Sequence, residues 1–201
     1  MLVSSKSTAI HATPVQKQPV RLGSRPEPVS FAVATDAASE FVSQPDMQLT
    51  RAIGLLNPAL NTHFYSFGNF NLVRLIMYLM KQTGPVHLFM SSYSFSSKSI
   101  QQLQHNLETN RLLSFRLLID NRVRSISPKP FQIIASCFNY RCTSVHAKVA
   151  LLWNEKWQIS IVTSQNATDN PKMERGTIFT DPSVFQFDHK NLSDAFNRGT
   201  T

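Results

Sequence analysis

In the C-terminal third of the sequence, His146 and Lys148 stand two residues apart in a run of β-forming residues, and Ser164, Asn166 and Glu174 follow within thirty positions. An imidazole, an ammonium, a hydroxyl, an amide and a carboxylate in that order suit a phosphodiester. The imidazole can attack phosphorus and divide one difficult displacement into two easier ones. The ammonium and amide are fixed donors for the non-bridging oxygens, where charge must be stabilised. A second imidazole is needed to protonate the leaving oxygen.

Whether these groups meet depends on the element that carries them. Ser144–Trp153 and Trp157–Thr163 read as two β-runs joined by Asn154-Glu155-Lys156, a hairpin with a three-residue loop. Centred on Glu155, that loop pairs His146 with Ser164 and Lys148 with Val162. Alternation then puts Ala147, Val149, Leu151, Trp153, Trp157, Ile159, Ile161 and Thr163 on an apolar core face. His146, Lys148, Ser160, Ser164 and Asn166 fall on an opposite, wet face.

The rest of the chain supplies a scaffold of the α/β class, a mixed β-sheet flanked by helices. His63–Phe67 reads as a strand broken by Gly68 and Asn69. Leu72, Leu75, Ile76 and Leu79 repeat at helical spacing until Gly84-Pro85, and Val86–Met90 has strand length. Ser97 can cap a helix with Ile100, Leu103 and Leu107 on one face. Leu112–Ile119 is a buried strand, 120–130 a basic loop, and Pro130 opens a short helix to about Phe138. Glu174–Thr180 forms a further strand, and 182–198 a closing helix opened by Asp181 or Pro182. Residues 1–60, rich in Ser, Thr, Pro, Ala and Val, read as a weakly structured leader with a short helix near 47–56, and 61–201 as the domain.

Charge indicates a partner class. Residues 1–50 hold four basic and four acidic side chains, so the net charge of +8 comes from the remainder. Arg111, Arg116, Arg122, Arg124, Lys129, Arg141 and Lys148 face only Asp120 over 111–148. Such a surplus attracts polyanions, and Arg116, Arg122, Arg124, Lys129 and Arg141 are candidate nucleic-acid contacts. No stretch has the roughly 20 apolar residues of a membrane span, and no signal-peptide pattern opens the chain. Two cysteines form no disulfide framework, which favours a reducing, cytoplasmic setting. Cys137, Cys142 and His146 lack a fourth ligand nearby, so no metal and no cofactor are expected.

The run His146-Ala147-Lys148, then Thr163-Ser164-Gln165-Asn166 and Glu174, resembles one active-site half of the phospholipase D superfamily, whose pattern is His-x-Lys, a downstream Asp, Gly-Ser-x-Asn and a later Glu. The likeness extends loosely over 62–180 through a Gly-Asn-Phe turn and a Ser-Tyr-Ser-Phe strand end, as in short single-half nuclease-like members. It implies a phospholipase D-like half-domain and a homodimer that shares one site. His146 would serve as nucleophile in one subunit and acid in the other. Lys148 and Asn166 would bind phosphate with support from Ser164, and Glu174 would orient the imidazole. Two positions depart: Trp153 stands where the family has Asp, and Thr163 where it has Gly. The resemblance therefore implies a metal-independent phosphodiesterase, foremost a nuclease on DNA or RNA. The alternatives are a catalytically weak or inactive nucleic-acid-binding module of the same fold and, third, a lipid phosphodiesterase.

Overall fold

A computed structural model of the chain describes residues 30–34, 39–40 and 48–201. Nine strands make one mixed sheet: β1 (Ser30–Ala34), β2 (Ser39–Glu40), β3 (Leu60–Phe67), β4 (Val86–Ser92), β5 (Leu112–Asp120), β6 (Asn139–Thr143), β7 (Lys148–Trp153), β8 (Gln158–Thr163) and β9 (Met173–Phe179), in the order β2-β1-β3-β9-β8-β7-β4-β5-β6. β4, β5 and β6 are parallel, and every other neighbouring pair is antiparallel. The helices are α1 (Gln48–Ile53), α2 (Leu72–Thr83), α3 (Ser97–Glu108), α4 (Val123–Ile126), α5 (Pro128–Cys137) and α6 (Pro182–Arg198). None among the described residues is long and apolar enough to cross a membrane.

The strand–helix order forces parallel pairing in one half of the sheet, since a strand followed by a crossover helix returns in the same direction. The expected helix over 71–81 is α2. Asn71 caps it by accepting from the Arg74 amide at 2.9 Å, and Gly84 ends it at φ 77°. Its Leu72, Leu75, Ile76 and Leu79 are fully buried, each stabilising the fold by roughly 1.5–3 kcal/mol. Ser96, one residue before the expected cap, accepts from the Ser99 amide to start α3. The basic loop 120–130 contains the one-turn helix α4, and α5 opens at Pro128 rather than Pro130. Strand β6 had no sequence-level counterpart.

Much of the 1–60 leader lies outside the described residues. Inside it, β1 extends the sheet by pairing with β3, and α1 packs Ala52 and Ile53 into the main core.

The sheet is covered on both faces where the chemistry-bearing strands lie. The main core joins α1, α2, α3 and α5 to one face, through Phe64, Leu88, Met90, Ala150, Leu152, Ile159, Ile161 and Ile178 among others. On the other face α6 lays Phe185, Leu192 and Phe196 over Phe89, Leu118, Val149 and Leu151. Asp181 caps α6 through the Ser183 amide at 2.8 Å, and Asp188 accepts from the Ser160 hydroxyl.

The docking of α6 has a pH dependence of definite sign. Arg116 donates to His189 Nε2 at 3.0 Å, and an arginine has no acceptor to offer, so that nitrogen must carry a lone pair. Burial, and then the Arg116 charge, hold the His189 pKa below its usual 6.5. Burial and Arg175 do the same for His63. The unfolded rings therefore bind protons that the folded ones refuse, and stability is full above pH 6.5 and falls as pH drops below it. Urea midpoints should decline from about pH 7 to about pH 5, and more steeply than in His189→Gln, which can still accept from Arg116. Equal slopes in the two proteins would remove His189 from this account.

Candidate functional site

The carboxyl ends of β3, β4, β5, β6 and β8 and the amino ends of β7 and β9 all lie along one edge of the sheet, as the pairings of Ser91 with Val149, Lys148 with Thr163, Thr163 with Gly176 and Phe67 with Met173 require. The candidate catalytic and phosphate-binding residues His146, Lys148, Ser164, Asn166 and Glu174 collect on that edge. The hairpin register differs from expectation by one residue, however. The β7–β8 loop has four residues, because Asn154 Oδ1 accepts from the amides of both Lys156 and Trp157 at 2.9 Å and draws Trp157 into the turn. Lys148 consequently faces Thr163, not Val162.

That slip reassigns the faces. Lys148 shares the main-core face with Ala150, Leu152, Ile159, Ile161 and Thr163, while Val149, Leu151 and Ser160 lie beneath α6. The expected wet face does not exist, and Ser160 is removed from the site by its bond to Asp188. Access comes instead from the strand ends. His146 and Ala147 precede β7 and are exposed, whereas Lys148 is only 6% exposed.

Lys148 Nζ donates to the His146 carbonyl at 2.7 Å and lies 3.1 Å from Nδ1 and 3.4 Å from Nε2 of the same residue. Burial lowers the Lys148 pKa from its ordinary value, and the Glu174 charge opposes the shift. Tyr93 completes the cluster: its ring lies 5.2 Å from the His146 ring, 5.8 Å from Lys148 Nζ and 4.8 Å from the Arg122 guanidinium carbon.

Buried Asp120 fastens the approach to His146. One carboxylate oxygen accepts from the Arg122 amide at 3.0 Å and Nε at 2.8 Å, and the other from the Val145 amide at 3.3 Å. The Arg122 hydrogen bond holds the Asp120 pKa below the usual carboxylate value against the opposing effect of burial. Asp120 and Tyr93 were not among the candidates. Their sequence signal is an acid ending a buried strand two residues before an arginine, and an aromatic following another such strand.

Ser91 and Ser92 tie the second half of the edge together. Ser91 Oγ donates to the Ala147 carbonyl at 3.0 Å and accepts from the Val149 amide at 3.2 Å. Ser92 Oγ accepts from the Ala167 amide at 3.2 Å and lies 3.5 Å from Asn166 Oδ1. Glu174 uses one oxygen for Ser164 Oγ and the other for Asn170 Nδ2 at 2.7 Å. Glu174 thus braces the Ser164 turn, and among the described residues the ring of His146 meets Lys148 and Tyr93. Gly68, at φ 81°, lets the β3 end pass beneath Pro171, where an added Cβ would come within 2.7 Å of Cα.

The basic candidates do not form one stripe. Arg122 belongs to the site. Arg116 lies over the Phe89 ring at 4.3 Å and holds His189, and Arg141 lies over Phe196; both serve the α6 face. Arg124 lies over Phe131 and donates to Cys142 Sγ, and Lys129 is exposed on α5. Cys142 is buried and Cys137 exposed, both as free thiols.

No protein-family model and no curated protein matches the sequence. Solved structures do match. Polyphosphate kinase from Porphyromonas gingivalis superposes with a TM-score of 0.52 at 13% identity, over 70% of this chain and 26% of that one. The fold is phospholipase D-like. NucT from Helicobacter pylori (TM-score 0.48, 12% identity, 66% of this chain and 94% of that one) and phosphatidylserine synthase from Haemophilus influenzae Rd KW20 (0.49, 13%, 71% and 39%) are also found. At these identities the likeness concerns the fold alone.

Within the phospholipase D-like sheet, Trp153 is accommodated away from the reacting groups, and Thr163 directly opposite Lys148. Trp153 ends β7 at the opposite edge, about 17 Å from Lys148 for a strand rise of ~3.3 Å per residue. There it stacks on His87 and packs on Phe185 and His189. Thr163 turns its side chain inward, donating to the Arg175 carbonyl at 3.0 Å and accepting from the Gln165 amide at 3.1 Å.

Proposed function

We propose that the chain is one half of a metal-independent phosphodiesterase acting on DNA or RNA, completed by a second copy across a twofold axis. The observation that carries this reading is the exposed His146 beside the nearly buried Lys148 at the sheet edge. A buried ammonium is costly, and its retention beside an exposed imidazole fits a transferable phosphoryl group better than it fits packing.

In this reading an imidazole nitrogen of His146 attacks phosphorus. An N–P bond forms, the P–O bond to the leaving strand breaks, and the partner subunit's His146 donates its proton to the leaving oxygen. Water then attacks the phosphohistidine and gives a proton back to that second ring, and the N–P bond breaks. Lys148 and Asn166 hold the non-bridging oxygens, and Arg122, fixed between Asp120 and Tyr93, supplies a further cation. Arg124, Lys129 and the remaining surface cations add attraction that weakens with salt.

A second reading, a nucleic-acid-binding module without turnover, is favoured by the engagement of both Glu174 oxygens with Ser164 and Asn170. Incubation with an end-labelled oligonucleotide in EDTA separates the two. The enzyme reading expects cleavage by the wild type, none by His146→Ala, an acid-labile protein-bound label and a dimer by light scattering. Salt-sensitive binding with no cleavage, unchanged in His146→Ala, would establish the module instead.

A further inference from the structure

We propose that the groove between α2 and α3 is a second binding site, for a small soluble amphiphilic anion: an organic phosphate or carboxylate with an apolar body. The groove encloses about 760 Å³, within the roughly 300–1,000 Å³ typical of small-molecule sites. Met77, Met80 and Pro85 give it an apolar wall, and Lys81, Lys98 and Arg111 stand around it. The three cations are exposed, and among the described residues none makes a side-chain hydrogen bond or ion pair. No Asp or Glu lines the groove.

Each part of this arrangement selects a ligand property. Thioether side chains adapt to an apolar body of irregular shape. Unpaired ammonium and guanidinium groups around an apolar wall leave an anionic head as the complement. A nucleic-acid strand fits poorly, because no Phe, Tyr or Trp lines the groove for bases to stack on. The position is separate from the candidate active edge. Gly84-Pro85 and Arg111 precede the first residues of β4 and β5, whereas His146 lies beyond the last residues of those strands. The length of β4, about 20 Å at ~3.3 Å per residue, lies between them.

The test uses the full chain and an undecanoic acid bearing a terminal dansyl group, whose emission rises on leaving water. We expect saturable one-to-one binding that weakens with salt and is displaced by decyl phosphate and decanoate but not by decanol or inorganic phosphate. Lys81→Ser, Lys98→Ser and Arg111→Ser combined should weaken it at least about tenfold, since each exposed charge contributes roughly two- to fivefold. Circular dichroism should be unchanged, as all three side chains are solvated. Met77→Glu, which places a carboxylate in the apolar wall, should weaken binding independently. Equal binding by the triple variant with a native spectrum would overturn the proposal. So would displacement of the probe by an oligonucleotide, occlusion of the groove in a dimer, or binding only to phosphatidylglycerol vesicles and not to monomeric decyl phosphate.

Discussion

Lys148→Met should lower EDTA-resistant cleavage by about 10²–10³-fold, the usual cost of losing one fixed donor to a developing oxyanion, while making the folded chain more stable. The two signs have one cause. Lys148 is 6% exposed and shares a sheet face with Ala150, Leu152 and Ile161, so its ammonium gives up most of its hydration on folding. Burial lowers its pKa from 10.5, with Glu174 only partly compensating. Between the folded value and 10.5 the unfolded chain binds the proton more readily, so the wild type gains stability as pH rises through that window, and Lys148→Met should not. Methionine nearly conserves the volume, and the His146 carbonyl released by the change belongs to an exposed residue. A gain on the order of 1 kcal/mol in urea unfolding at neutral pH is expected. His146→Ala offers the contrast. In the proposed mechanism His146 is the nucleophile, whose removal costs as much as about 10⁶-fold in activity, yet the loss of an exposed ring changes stability by about 0.5 kcal/mol or less. Should Lys148→Met lose stability along with activity, the ammonium would be a fastener for the His146 segment and the catalytic argument would lose its support.

The parts of this arrangement that were legible in the sequence are those set by local pattern. The buried stripe Leu72/Leu75/Ile76/Leu79 and the apolar run at Val86 give α2 and β4 within two residues, because 3.6- and short-run periodicities survive in any context. Register is a different kind of quantity. Three- and four-residue hairpin loops differ only in whether Trp157 joins the turn, and the Asn154 side chain decides it through two hydrogen bonds that no propensity encodes. Because side chains alternate with period two, that one-residue difference moved Lys148 onto the core face and Ser160 beneath α6. The wet face inferred from Ser160 and Lys148 was an artefact of reading the hairpin as half-exposed, when α6 covers the other side from thirty residues downstream. Asp120 and Tyr93 were missed for a similar reason. Each looks like an ordinary strand end, and their role emerges only when parallel β4 and β5 bring both ends beside the start of β7.

Gly176→Val should destabilise the fold by about 3 kcal/mol, the upper range for forcing atoms into a packed interior. A Cβ at this position would stand 2.3 Å from Cζ and 2.6 Å from Cε1 of Phe64, whose ring is 1% exposed and packed against Phe70. The ring has nowhere to go without moving β3, and β3 pairs with β9 directly at Gly176. The missing side chain also explains how Thr163 is tolerated. Thr163 faces Gly176 across the β8–β9 pair, and its hydroxyl comes within 2.9 Å of the Cβ that glycine lacks. A small residue is needed once at this crossing, and here it stands on β9, which leaves β8 free to carry a threonine that binds the Arg175 carbonyl and the Gln165 amide. Two measurements follow. Phe64→Leu should recover part of the loss in Gly176→Val, because the shorter side chain vacates the collision. Thr163→Gly should cost stability in the wild type and less in Gly176→Ala, a coupling that additivity forbids for independent sites. Urea midpoints that sum simply across both cycles would show that the three residues do not share one space.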